Sequence, residues 1–141
     1  MRIQGNPCWY ELDTPDLDAA GSFYARILGW KVADSGMAGF DYRLARSGDD
    51  MVAGMMSNVG QLGGPSPSWL IYFAVDDCDQ TAADIRVAGG KVWKEPADIP
   101  GTGRFAVVAD PQGAVFGLLQ PDMRQMSAED RARAEAGGGA F

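Results

Sequence analysis

The sequence predicts an α+β domain built from two tandem β-α-β-β-β modules that enclose a shared cleft. Three observations lead there. WYELDTPDLDAAGSFYARILGW (residues 9–30) is followed sixty residues later by WLIYFAVDDCDQTAADIRVAGGKVW (residues 69–93). From Trp9 to Val32 the two stretches align without a gap. Trp9, Asp16, Arg26, Gly29, Lys31 and Val32 match Trp69, Asp76, Arg86, Gly89, Lys91 and Val92, where chance would give about one or two identities. An offset of 63 then lays MVAGMM on AVFGLL, with Val52 on Val115 and Gly54 on Gly117. A module this short cannot bury its own sheet face, so two copies must face each other around a common core or cleft.

Each element has a local reason. WYELDT (9–14) is short and rich in strand formers. Asp16 is placed to cap a helix, along which Leu17, Ala20, Phe23, Tyr24, Ile27 and Leu28 form an apolar stripe at helical spacing. Gly29 suits the left-handed position that ends it. Residues 30–33 read as a strand, FDYRLAR (40–46) as another, SGDD (47–50) as a tight turn and MVAGMM (51–56) as the last strand of module one. NVGQLGGPSPS (58–68) lacks periodicity and reads as a linker. The pattern then returns. WLIYFAV (69–75) is a strand, Asp76–Asp77 a cap, and Ala82, Ile85 and Ala88 mark a helix face that Gly89–Gly90 ends. KVW (91–93) is a strand, a loop with Pro96 and Pro100 follows, and RFAVVAD (104–110) and AVFGLLQ (114–120) flank a DPQG turn. The expected organisation is one domain over 7–121, with modules at 7–57 and 69–121 and the linker at 58–68. A tail at 122–141 carries a short polar helix at SAEDRARAEA.

Composition narrows the functions. At 141 residues the chain suits one core. Its formal charge of −7, with no Lys/Arg cluster, argues against nucleic acid, which demands a cationic surface. Apolar runs such as AVFGLL are too short to cross a bilayer, and MRIQGNPCWYEL has no signal core. A cytoplasmic protein with two free, buried thiols, Cys8 and Cys78, is therefore expected. The chain has no histidine, which removes the commonest metal ligand and the usual proton carrier near neutral pH.

The paired modules, the strand–D-L-D–helix–FY…LGW segment and GRFAVVADPQGAVFGL resemble the vicinal oxygen chelate superfamily, over about residues 7–121. That superfamily includes glyoxalase I, bleomycin-resistance proteins and extradiol dioxygenases. The resemblance implies a curved mixed sheet around the cleft. It also implies that metal-using members place His or Glu on the first and last strand of each module. Those positions fall here on Trp9, on Trp69 or Leu70, and on Gly54 and Gly117. None of these side chains can bind a divalent ion, which needs imidazole, carboxylate or thiolate. The expectation is therefore a protein with no cofactor and no metal.

Side chains alternate across a strand, so if Trp9 faces the cleft, Glu11 and Asp13 do too, while Tyr10 and Leu12 face the helix. By the repeat, Trp69, Ile71 and Phe73 are expected in the same space, with Val52, Met56, Val115 and Leu119 from the last strands. Tyr42 and Phe105 stand on neighbouring strands. The expected ligand contacts are Trp9, Glu11, Tyr42, Met56, Trp69, Phe73 and Arg104, with Glu11 as the one catalytic candidate. Each has a plain structural alternative. The indoles can plug the cleft as core, and the methionines can fill gaps. Glu11 can be held by an arginine or a backbone amide, and Arg104 can serve a structural ion pair. Two functions follow. One is a binding protein for a small, partly apolar or aromatic molecule. The other is a glyoxalase-like lyase, isomerase or hydrolase using Glu11 as acid or base. A filled cleft serving only for interaction is a third. Pairing of modules across a homodimer stays open.

Overall fold

The structure is a computed structural model that describes residues 4–37, 39, 41–57, 66–99 and 102–122. Ten elements follow in order: β1 (Pro7–Asp13), α1 (Leu17–Leu28), β2 (Lys31–Asp34), β3 (Tyr42–Ser47), β4 (Asp50–Met56), β5 (Ser68–Ala74), α2 (Cys78–Val87), β6 (Lys91–Ile99), β7 (Gly103–Ala109) and β8 (Val115–Pro121). They form two β-α-β-β-β modules. The eight strands make one curved open sheet in the order β2-β3-β4-β1-β5-β8-β7-β6. Within each module the first strand runs parallel to the last, β1 with β4 and β5 with β8. The modules join at the centre, where β1 and β5 run antiparallel, Glu11 opposite Leu70 and Trp9 opposite Tyr72.

Both helices lie on one side of the sheet. Leu12, Met55, Ala45 and Ala53 form a core cluster with Leu17 of α1. Ala106, Val108 and Leu118 form another with Cys78 of α2. Phe73 and Phe116 meet edge to face at 5.6 Å, which ties the helix side of β5 to that second cluster. A third cluster, Cys8, Leu70, Tyr72, Ala74 and Val107, lies on the helix-free side, with Trp9, Phe105, Val115 and Leu119 packed on it. Cys8 and Cys78 are free and buried, as expected.

Both helices start on a capping carboxylate. The Asp16 side chain accepts from the Ala19 amide at 3.0 Å, and that of Asp77 from the Gln80 amide at 3.0 Å. Loss of such a cap costs about 1 kcal/mol. Asp77→Ala should therefore lower stability by about that much in a urea melt. α1 ends on Gly29 at φ 73, and Gly89 after α2 has φ 93. The cap-to-glycine distance is thirteen positions in module one (16 to 29) and twelve in module two (77 to 89).

Three expectations are corrected here. β6 does not stop at Trp93 but runs to Ile99 through Pro96. It is an edge strand, irregular between Val92 and Ala97, and an edge tolerates a residue that donates no ladder bond. Val52 packs with the α1 cluster, not in the cleft, because a register irregularity between Ala45 and Arg46 breaks the alternation of β3 and β4. Phe23, Ile27 and Leu28 of the α1 stripe are more than half exposed. Most of the linker and the tail helix lie outside the described residues; Ser68 already belongs to β5.

Candidate functional site

Alternation along β1 puts Trp9 and Glu11 on the helix-free side, at the junction of the modules. Glu11 is 8% exposed. The Tyr42 hydroxyl donates to Glu11 Oε2 at 2.8 Å, and the Tyr72 hydroxyl donates to Glu11 Oε1 at 3.0 Å. The Trp9 indole N–H donates to the Tyr42 oxygen at 2.9 Å. The result is a directed chain from indole to phenol to carboxyl, closed from the other module by a second phenol.

Two glycines make room for it. Gly54 stands beside Glu11 in the ladder, and a Cβ there would fall inside the Tyr42 hydroxyl. Gly117 stands beside Tyr72, and a Cβ there would lie 2.6 Å from Tyr72 Cγ and nearer still to two other ring carbons. Tyrosine rings thus occupy the places into which side chains of the last strands would otherwise project. Burial pushes the Glu11 carboxyl above its usual range, and the two phenol donors only partly offset that. Burial, then the nearby carboxylate charge, pushes both phenols well above theirs.

Of the expected ligand contacts, Trp9, Glu11, Tyr42 and Met56 come together; Met56 pairs with Tyr42 across β3 and β4. Trp69, Phe73 and Arg104 do not join them. Trp69 lies opposite Leu12 on the helix side, donating to the Tyr24 hydroxyl at 3.1 Å and meeting Trp30 edge to face. Phe73 is against Phe116. Arg104 grips Asp79 of α2 with two nitrogens, at 2.8 and 3.0 Å, and Asp98 with a third at 3.0 Å. That is the structural ion-pair alternative, placed on the helix side by the alternation that sends Phe105 and Val107 to the cleft.

The physical cause of the first two errors is a single residue. Aligned by helix cap, Glu11 corresponds to Tyr72 and Trp9 to Leu70, an offset of 61; the shorter α2 restores 60 at the glycine. A gapless offset of 60 turns every β5 side chain to the wrong face. Tyr72 was missed for this reason. The available signal was Asp77, which stands three residues past the strand end, as Asp16 does.

The positions that the resemblance reserves for metal ligands hold Trp9, Leu70, Gly54 and Gly117, and they surround one carboxyl whose oxygens both accept from phenols. Among the described residues no group of three or more His, Cys, Asp and Glu side chains could hold a metal ion. No helix among them is long and apolar enough to cross a membrane.

Paired modules around one helix-free face define a protein of the glyoxalase-like class. The family model described as the glyoxalase/bleomycin resistance protein/dioxygenase superfamily matches residues 9–118, and the chain belongs to that superfamily. Over 124 residues it is 46% identical to "Putative glyoxylase CFP32" of Mycobacterium tuberculosis, covering 86% of this chain and 46% of that protein. It is 40% identical over 118 residues to "Anthracycline biosynthesis protein DnrV" of Streptomyces peucetius, covering 84% and 42%. The chain thus spans less than half the length of these relatives. Among solved structures, the methylmalonyl-CoA epimerase of Mycobacterium tuberculosis shares the fold with a TM-score of 0.59 at 18% identity, covering 86% of this chain and 91% of that one. A Mn(II)-bound glyoxalase from Novosphingobium aromaticivorans does so with a TM-score of 0.54 at 20% identity, covering 83% and 39%.

Proposed function

We propose that this glyoxalase-like protein binds a small, partly apolar or aromatic molecule on its helix-free face without the superfamily's metal centre. One observation carries the reading. The centre of that face is a self-satisfied Trp9–Tyr42–Glu11–Tyr72 network laid over two glycines, and an indole, two phenols and a single engaged carboxyl do not make a cation site. Trp9, Phe105, Val115 and Leu119 line the surroundings with apolar and aromatic surface, the usual wall of a small-molecule site. The similarity to an anthracycline biosynthesis protein favours an aromatic ligand.

A thermal-shift screen of planar aromatic compounds tests it. A compound at a hundred times its dissociation constant should add about 2.7 kcal/mol of stability. Trp9→Ala should abolish the response and Trp69→Ala should keep it, because only the first indole faces the network. The reverse pattern would move the site to the helix side. Stoichiometric nickel, zinc, manganese or iron in the purified protein would overturn the metal-free reading.

The buried Glu11 carboxyl favours a second reading, in which it takes or gives a proton to a bound carbonyl compound and Tyr42 holds it in place. Exchange of substrate C–H for solvent deuterium, lost in Glu11→Gln and kept in Arg104→Ala, would support it.

A further inference from the structure

The two edge strands sort their charges by face. On β2, Val32 stands opposite Ala45 and packs with α1, so Lys31 and its partner Arg46 turn to the helix-free side. Asp34, opposite Arg43, falls on the helix side, where Arg43 reaches Asp18 of α1 at 2.6 Å. β6 repeats the pattern. Lys94 stands opposite Val107 of the helix-free cluster, and Lys91 opposite Ala109 on the same face of β7. Glu95 turns the other way to Arg86 of α2, and Asp98 to Arg104. Lysines on an edge strand discourage pairing with another sheet, but they do so from either face. That purpose does not sort cations from carboxylates.

The sorting collects cations on the helix-free side of a chain whose formal charge is −7. Among the described residues no carboxylate forms an ion pair with Lys31, Arg46, Lys91 or Lys94, whereas Arg43, Arg86 and Arg104 each hold at least one. Arg46 donates to the Asp49 carbonyl at 2.9 Å. Lys31 and Arg46 are like charges directly opposite each other, which weakens a strand pair. Natural proteins break such local rules mainly at functional sites. The acids on this side of β1 are Glu11, whose oxygens both accept from phenols, and Asp13, in the row of Met56 and Tyr42.

One row of the sheet links the rim of module two to the central network. Trp9 stands opposite Tyr72, Tyr72 beside Gly117, Gly117 opposite Val107, and Val107 opposite Lys94. Lys94 is half-buried there. The register irregularity between Val92 and Lys94 leaves Trp93 next to it, and Lys91 Nζ lies 4.1 Å from the centre of the Trp93 ring. The rim thus offers two ammonium groups and an indole at the end of an apolar row.

We propose that the ligand of the helix-free face is an anion, a planar aromatic molecule that lays its rings along the row from Trp9 and sets an acidic group against Lys91 and Lys94. This rests on the reading of that face as a small-molecule site and adds the charge of the ligand. A cationic ligand is repelled by the rims, and a neutral one gains nothing from them.

Isothermal titration calorimetry of the full chain with three matched probes tests it: naphthalene-2-carboxylate, its neutral carboxamide and the cationic 2-naphthylmethylamine. At low ionic strength the carboxylate should bind about tenfold tighter than the amide, a preference that two partly exposed ion pairs can supply, and the amine should bind weakest. In about 1 M salt, where the screening length falls to about 3 Å, most of that preference should vanish. Lys91→Met combined with Lys94→Met keeps the apolar stems without the charge, so it should remove most of the preference and leave amide binding unchanged. Arg26→Gln, on α1, should retain the preference. Trp9→Ala should weaken carboxylate and amide alike. An amide that binds as tightly as the carboxylate, or a preference that survives the double substitution, overturns the charge assignment and leaves the small-molecule reading standing. Failure of all three probes to bind overturns both.

Discussion

Gly117→Ala is expected to destabilise this chain by about 3 kcal/mol, at the upper end for a single added methyl group. Three ring carbons of Tyr72, one of them Cγ, lie where the methyl would go, and Cγ is too close to its own backbone to swing aside. Tyr72 is buried in the core of the helix-free side, and its hydroxyl is tied to Glu11. The ring can leave only by abandoning that bond and opening a cavity. A double-mutant cycle isolates the cause. In a Tyr72→Ala background, itself about 3 kcal/mol less stable, the added methyl should cost under about 1 kcal/mol. Equal costs in both backgrounds would refute the account. Gly54→Ala should be milder, because it meets first the outer end of the half-buried Tyr42, which can rotate toward solvent.

The second large effect concerns Glu11 and pH. Its folded carboxyl holds its proton more tightly than the unfolded one, whose ordinary value is 4.5. Below that value both states are protonated and the full stability is present. As pH rises through 4.5 the unfolded carboxyl ionises while the folded one still keeps its proton. Unfolding is then favoured, and stability falls until the folded carboxyl has ionised too. Within that window the decline is up to about 1.4 kcal/mol per pH unit. Glu11→Gln keeps the shape without the titration, so its denaturant melts across a pH series should lack this decline. Parallel curves for the two proteins would show that Glu11 does not titrate differently on folding. Glu11→Ala should be worse at every pH, since the buried Tyr72 hydroxyl loses its acceptor at about 1–3 kcal/mol and the half-buried Tyr42 hydroxyl loses its own as well.

Much of this was readable along the chain. Trp9 and Glu11 follow from strand alternation along β1, counted back from the cap at Asp16, and Met56 from its place on the last strand of the module; Tyr42 was placed only on a neighbouring strand, and the register irregularity between Ala45 and Arg46 kept alternation from placing Val52. The same rule misplaced Trp69 and Phe73, because a repeat match weighted by Gly89, Lys91 and Val92 carries the register of the helix end back to the strand. Arg104 was misplaced because attraction to a cleft and attraction to Asp79 read alike in sequence, and only the packing of α2 on β7 distinguishes them.

The sequence by itself determined the two modules, their element order, the absence of histidine and the superfamily. All of these follow from local spacing and residue chemistry. Tertiary structure decided which residues meet. Whether Tyr72 or Trp69 reaches Glu11 depends on the register of β5 against β1, and whether a tyrosine can lie across the sheet depends on a glycine on the neighbouring strand. Strand periodicity defines two faces but does not say which the helices cover; the packing of Leu17 and Cys78 on one of them fixes that.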